Sequence, residues 1–148
     1  MQRALAAMTT GERAQASGKI CARVLALSQW QAAKRVMLFA PLRTEPDLRG
    51  LRDDPGFVSK VVTVLPATAN FIWLENLGTE MAEIILVPGL AFTSEGLRLG
   101  RGGGYFDRLL EGALRGAYKV GVCFASQMIA ALPTETHDVR MDRVITEG

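Results

Sequence analysis

Residues 84–115, IILVPGLAFTSEGLRLGRGGGYFDRLLEGALR, leave room for few folds. Ile84 to Val87 is an uninterrupted apolar run stopped by Pro88-Gly89, which predicts a buried strand with a hard end. Phe106, Leu109, Leu110, Ala113 and Leu114 then recur at i, i+3, i+4, i+7 and i+8, the stripe of an amphipathic helix. Between them lies Gly100-Arg101-Gly102-Gly103-Gly104-Tyr105. Strand, glycine loop and helix start, in that order, predict an oxyanion cradle. Glycines let backbone N–H groups approach the anion, and the helix start adds unpaired donors and a positive dipole end.

Two common phosphate loops do not fit this spacing. G-x-G-x-x-G counted from Gly100 lands on Tyr105, and no Lys-Ser/Thr pair follows the glycines. A glycine cluster alone is more often a flexible turn than a ligand site. Two residues raise the stakes here. Arg101 puts a permanent cation inside the loop, and Asp107 stands one turn into the helix, where a carboxylate can reach a metal that bridges phosphates. The plainer readings are a solvated loop charge for Arg101 and, for Asp107, a first-turn acid that suits the helix dipole.

The rest of the chain supplies the partners of that unit. Thr9 and Glu12 have the spacing of a capping box, and Ile20, Cys21, Val24 and Leu27 predict a long helix ending near Ser28. Strands are predicted over 34–40, 60–65, 71–74, 119–125 and 143–146, with short helices over 48–52 (Asp47 as cap) and 127–131 (Ser126 as cap). Helices alternating with near-continuous apolar strands predict one α/β domain over 1–148, a three-layer sandwich with a mostly parallel or mixed central sheet flanked by helices. Ligands in such folds sit beyond the C-terminal ends of the strands, where residues 41–45, 88–107 and 126–127 all fall. At 148 residues and net charge +2, with no basic run interleaved with aromatics, the chain offers nothing for nucleic acid. It also has no apolar stretch of membrane-spanning length. Cys21 and Cys123 stand apart in apolar surroundings, as buried thiols of a cytoplasmic protein do.

Val87 to Phe92 together with Gly96 to Arg108 resembles the signature of the 5-formyltetrahydrofolate cyclo-ligase family (methenyltetrahydrofolate synthetase). The resemblance runs on through Gln127, Leu132-Pro133, His137-Asp138, Asp142 and Ile145-Thr146-Glu147, and upstream through Glu12-Arg13, Ser17, Trp30, Glu45 and Pro66. It implies the ATP- and Mg²⁺-dependent conversion of 5-formyltetrahydrofolate to 5,10-methenyltetrahydrofolate, with release of ADP and phosphate. The formyl oxygen would attack the γ-phosphate, and N10 would close the ring and expel phosphate. By the same resemblance Arg98 and Gly100 to Phe106 (Gly100, Arg101, Gly102, Gly103, Gly104, Tyr105, Phe106) bind ATP, with Arg101 stabilising the transferring group. Glu45 and Tyr105 contact the folate, and Asp107 and Asp142 hold Mg²⁺. Taken alone, Glu45 reads as a solvated acid and Asp142 as a turn residue. His137, the sole histidine, reads as a loop hydrogen-bonder and not a general base.

The chain departs from the family pattern twice. The N-terminal Lys-x-x-x-Arg that grips phosphate in the family has no counterpart, with Arg3 or Lys60 as the available substitutes. A family segment ending in an Ile-x-Glu-Pro-like motif is reduced here to Asn76 to Glu83. Two functions of different class therefore stand at this stage: a compact cyclo-ligase, or a nucleotide- and folate-binding relic without turnover. A sugar-phosphate isomerase would need an acid/base that the sequence does not offer.

Overall fold

A capping box starts the first helix. The Thr9 hydroxyl accepts from the Glu12 amide and the Glu12 carboxylate accepts from the Thr9 amide, both at 3.0 Å. Helix α1 (Thr10–Leu25) follows and buries Ala16, Ser17, Ile20, Cys21 and Val24 along one face. The computed structural model describes residues 8–66, 82–101, 104–112, 114–133 and 139–148. The predicted strand 71–74 lies outside these. The first helix ends at Leu25, short of Ser28, because Leu27 turns extended, and a second short helix α2 (Ser28–Ala32) follows. Its purpose is to bury Trp30, which is fully enclosed and whose indole N–H donates to the Asp54 carboxylate at 3.2 Å.

Five strands form the main sheet: β1 (Arg35–Phe39), β2 (Val61–Leu65), β3 (Ile84–Val87), β6 (Tyr118–Val122) and β7 (Arg143–Ile145). Their order is β2-β1-β3-β6-β7 and every pairing is parallel. The sequence left parallel and mixed open; the main sheet is wholly parallel. β3 is central and all four of its residues are buried, which explains why it reads as a continuous apolar run with no alternation. A small antiparallel pair, β4 (Ala91–Phe92) with β5 (Arg98–Leu99), decorates the C-terminal side of β3. Helix α3 (Tyr105–Glu111) then returns the chain to β6. Side chains of α1, α3 and the sheet share one apolar core, giving the three-layer α/β arrangement.

Two expectations are corrected. Residues 127–131 are not a helix: a 3₁₀ turn covers Ala125–Gln127, and Met128 then bridges Phe92. The predicted short helix near Asp47 is a 3₁₀ turn over Arg49–Asp53, entered through an Asp47 carboxylate that accepts from the Arg49 amide at 2.9 Å. Both thiols lie in the core, and burial pushes Cys21 up to about 11 and Cys123 up to about 12, so they are protonated packing groups.

Candidate functional site

The loops after β1, β3 and β6 meet at the C-terminal ends of those strands. Gln127 fastens two of them. It is buried, its side-chain amide donates to the Gly89 and Leu90 carbonyls at 2.8 and 3.2 Å, and its side-chain oxygen accepts from the Phe124 amide at 2.9 Å. β1 pairs with β2 on one side and β3 on the other, so its two neighbouring loops leave in different directions and open a crevice.

Beside β1, β2 and α1 lies a cleft of about 750 Å³. Leu38, Phe39, Leu48, Phe57 and Val62 contribute apolar wall, while Arg13, Arg43, Glu45, Asp47, Arg49 and Arg52 contribute charge. Glu45 reaches it from a tight turn in which its amide bonds the Leu42 carbonyl and its Oε1 accepts from the Leu42 amide at 2.7 Å. Its side chain is only 4% exposed, yet Oε2 accepts from Arg101 Nε at 3.3 Å. A second Arg101 nitrogen donates to the Thr44 hydroxyl at 3.1 Å. The glycine loop and the cleft wall are thus joined by one guanidinium. No sequence pattern pointed to Thr44.

Arg98, expected at the ATP phosphates, is engaged within the protein. Its side chain is 7% exposed, Nε donates to the Pro88 carbonyl at 2.6 Å, and Nη1 meets Asp107 Oδ1 at 3.2 Å. The guanidinium lies 5.2 Å from the Phe106 ring centre. A methyl group at Gly100 would approach the same guanidinium to 3.1 Å, and one at Gly89 would approach the Arg98 stem to 3.2 Å. Room for Arg98 is therefore a structural reason for Gly100, while at Gly89 the methyl group would first meet the Leu99 carbonyl oxygen and the Phe92 ring, both at 3.1 Å. Arg98 orients Asp107, whose side chain remains 65% exposed.

Gly104 caps α3 at φ +73° with no side chain to satisfy the first turn. Gly102, Gly103, His137 and Arg3 lie outside the described residues, as does the side chain of Tyr105. Asp142 Oδ2 accepts from the Lys119 amide at 2.8 Å, at the N-terminal end of β6. Asp107 is tied through Arg98 to Pro88, at the C-terminal end of β3. The structure gives each acid its own protein partner and does not bring the expected metal pair together through a shared one. Lys60 is not a substitute phosphate cation, because its ammonium donates to the Trp30 and Ala33 carbonyls at 2.7 and 2.6 Å. No group of three His, Cys, Asp or Glu among the described residues makes a protein metal cage. An exposed carboxylate beside a cationic loop instead fits Mg²⁺, which takes one or two acids and completes its shell with water and phosphate.

Sequence reasoning also passed over the cleft arginines, although Arg13 carried a signal. It lies three and four positions before Ala16 and Ser17, so it continues the buried stripe of α1 and must face the protein. Among the described residues no helix is long and apolar enough to cross a membrane.

The model of the "5-formyltetrahydrofolate cyclo-ligase family" matches residues 52–147. The chain is 25% identical to the 5-formyltetrahydrofolate cyclo-ligase of Mus musculus over 182 residues, covering 99% of this chain and 90% of that one. It is 40% identical to the Mycolicibacterium smegmatis 5-formyltetrahydrofolate cyclo-ligase over 74 residues, half of this chain and 38% of the relative. Among solved structures it is similar to the 5,10-methenyltetrahydrofolate synthetases of Mycoplasma pneumoniae (TM-score 0.80, 20% identity, 99% and 93% of the two chains) and Aquifex aeolicus (TM-score 0.75, 27% identity, 95% and 82%). With the family model spanning well over half its length and the parallel sheet in place beneath the glycine loop, the chain belongs to the 5-formyltetrahydrofolate cyclo-ligase family.

Proposed function

We propose that this protein uses ATP and Mg²⁺ to convert 5-formyltetrahydrofolate to 5,10-methenyltetrahydrofolate, releasing ADP and phosphate. The observation that carries the reading is the Arg101–Glu45 contact at 3.3 Å, which links a cation of the glycine loop to an acid of an apolar cleft. Phosphoryl transfer asks a protein mainly to position reactants and offset charge. Arg101 can do both, because it has only to exchange Glu45 for a phosphate oxygen. Glu45, released by that exchange, keeps Oε1 on the Leu42 amide and turns Oε2 to N–H donors of the folate in the cleft.

Gly104 leaves the first amides of α3 uncovered beside the phosphates, and Arg98 holds Asp107 at the edge of that space. Mg²⁺ would offset phosphate charge there, on Asp107, with water and phosphate oxygens completing its shell. Walls such as Phe39 and Leu48 would keep water away, so that N10 and not solvent attacks the formyl carbon, loses its proton, and phosphate leaves with the former formyl oxygen.

The test is calorimetric titration with Mg·ATP and 5-formyltetrahydrofolate, followed by the rise in methenyl-folate absorbance. Arg101→Gln is expected to lower kcat by about a hundredfold with a much smaller change in KM for the folate. Asp107→Asn is expected to raise the Mg²⁺ concentration needed for half-maximal rate. Binding of both substrates without any absorbance change would establish the relic in place of the enzyme.

A further inference from the structure

Among the described residues that line the cleft, cations outnumber acids. Four arginines face it, Arg13, Arg43, Arg49 and Arg52, against two acids, Glu45 and Asp47. Both acids are engaged already. Asp47 holds Arg49 with a 2.7 Å contact, and Glu45 holds Arg101 of the glycine loop, a fifth cation from outside the lining. Arg43 and Arg52 are exposed and stand at the mouth of the cleft. Arg13 reaches toward them from α1, its Nη1 3.5 Å from the Arg43 carbonyl oxygen. Below lies the apolar wall of Leu48, Phe57 and Val62. Charges of one sign above a low-dielectric wall focus the field in the cleft and draw anions there.

A bare inorganic ion would make no use of that wall. We propose that Arg43 and Arg52, with Arg13 behind them, form an anion subsite at the cleft mouth for the oxyanionic end of a ligand whose flat apolar body lies against Leu48 and Phe57. This rests on the cleft's being the folate side of the site. The pterin and benzoyl rings then occupy the wall, and the carboxylates of the terminal glutamate meet the two arginines. The shared chemistry is an oxyanion offering two oxygens to a guanidinium, and a phosphate chain is its other source. Guanidinium groups pair with either in the same forked geometry.

The experiment compares wild type with the Arg43→Gln/Arg52→Gln double variant, both checked for the same melting temperature, by calorimetry at low and high salt. Three probes are used: 5-formyltetrahydrofolate, the same molecule lacking its glutamate, and inorganic tripolyphosphate. The double variant is expected to bind 5-formyltetrahydrofolate at least about tenfold more weakly. The glutamate-free compound should bind both proteins alike, and the difference should shrink at high salt. A loss seen with tripolyphosphate in place of the folate would keep the subsite and assign it to phosphate. Unchanged affinity for all three probes overturns it. The two readings fail separately: wild-type turnover with no loss in the variant removes the subsite alone, and a loss in the variant without wild-type turnover removes the proposed reaction alone.

Discussion

A methyl group added at Gly96 would fall on the carbonyl oxygen of Met141, in a backbone held at φ +90°. At Gly104, φ +73°, the same methyl group meets nothing within 4 Å. The two positions therefore separate backbone strain from steric conflict. Gly104→Ala should cost about 1–2 kcal/mol, the left-handed penalty alone. Gly96→Ala adds a clash with main chain and should exceed about 3 kcal/mol. Equal losses in thermal unfolding would contradict the difference in their surroundings. Charge at the residue scale is read best at Asp47, whose carboxyl is held below its ordinary value chiefly by the Arg49 side-chain hydrogen bond. A lowered folded value means that the contribution is present above the unfolded carboxylate value and is lost as the pH falls through the folded one. With 42% of the Asp47 side chain and 80% of Arg49 exposed, solvent screening keeps that contribution small. Arg49→Gln should lower stability slightly across the neutral region, where the contribution is present, and leave it unchanged below the folded carboxyl value, so thermal unfolding across the acid range should show a flatter limb.

Most strands were legible because burial wrote them directly into composition. β3 has no polar face to alternate with, and β1, β2, β6 and β7 differ from their expected spans only at the ends. Short elements were not legible. Five residues from Gln127 to Ala131 are too few for a periodicity to mean anything, and what sets their path is a side chain, not a pattern. Gln127 draws the chain toward Gly89 and Leu90, and Met128 then lies extended beside Phe92. Gln127→Leu fits by volume but leaves two carbonyls and one amide without that partner, each costing about 1–3 kcal/mol if water cannot replace it. Denaturant unfolding should show a loss of several kcal/mol, and Gln127→Glu should not restore it, because it removes the donor. Full stability in Gln127→Leu would mean that the loops hold one another without it.

At the scale of the molecule, the site depends on contacts that no local pattern shows. Glu45 and Arg101 are 56 positions apart, and Arg98 and Asp107 read as two unrelated charges until the 88–101 loop folds back. The family motif located the glycine loop, while the fold revealed that its Gly100 makes room for the Arg98 guanidinium. A double-mutant cycle on Glu45→Gln and Arg101→Gln should give a coupling of about 0.5–1 kcal/mol in unfolding, since Arg101 is about a third exposed. A value near zero would mean that the contact does not persist in solution.

The strand order has one more consequence, for how the protein is made. Each ladder of the main sheet joins distant positions: Val36 with Val62, Val36 with Ile84, Ile84 with Tyr118, Val120 with Arg143. Among the described residues no hairpin joins any two of these strands, so loops must close before those ladders form. A nascent chain leaving the ribosome carries β1 without its inner neighbour until Ile84 has emerged, and β6 without its outer one until Arg143 has. Biogenesis, more than the finished molecule, is where this protein is exposed to aggregation and where chaperones would matter.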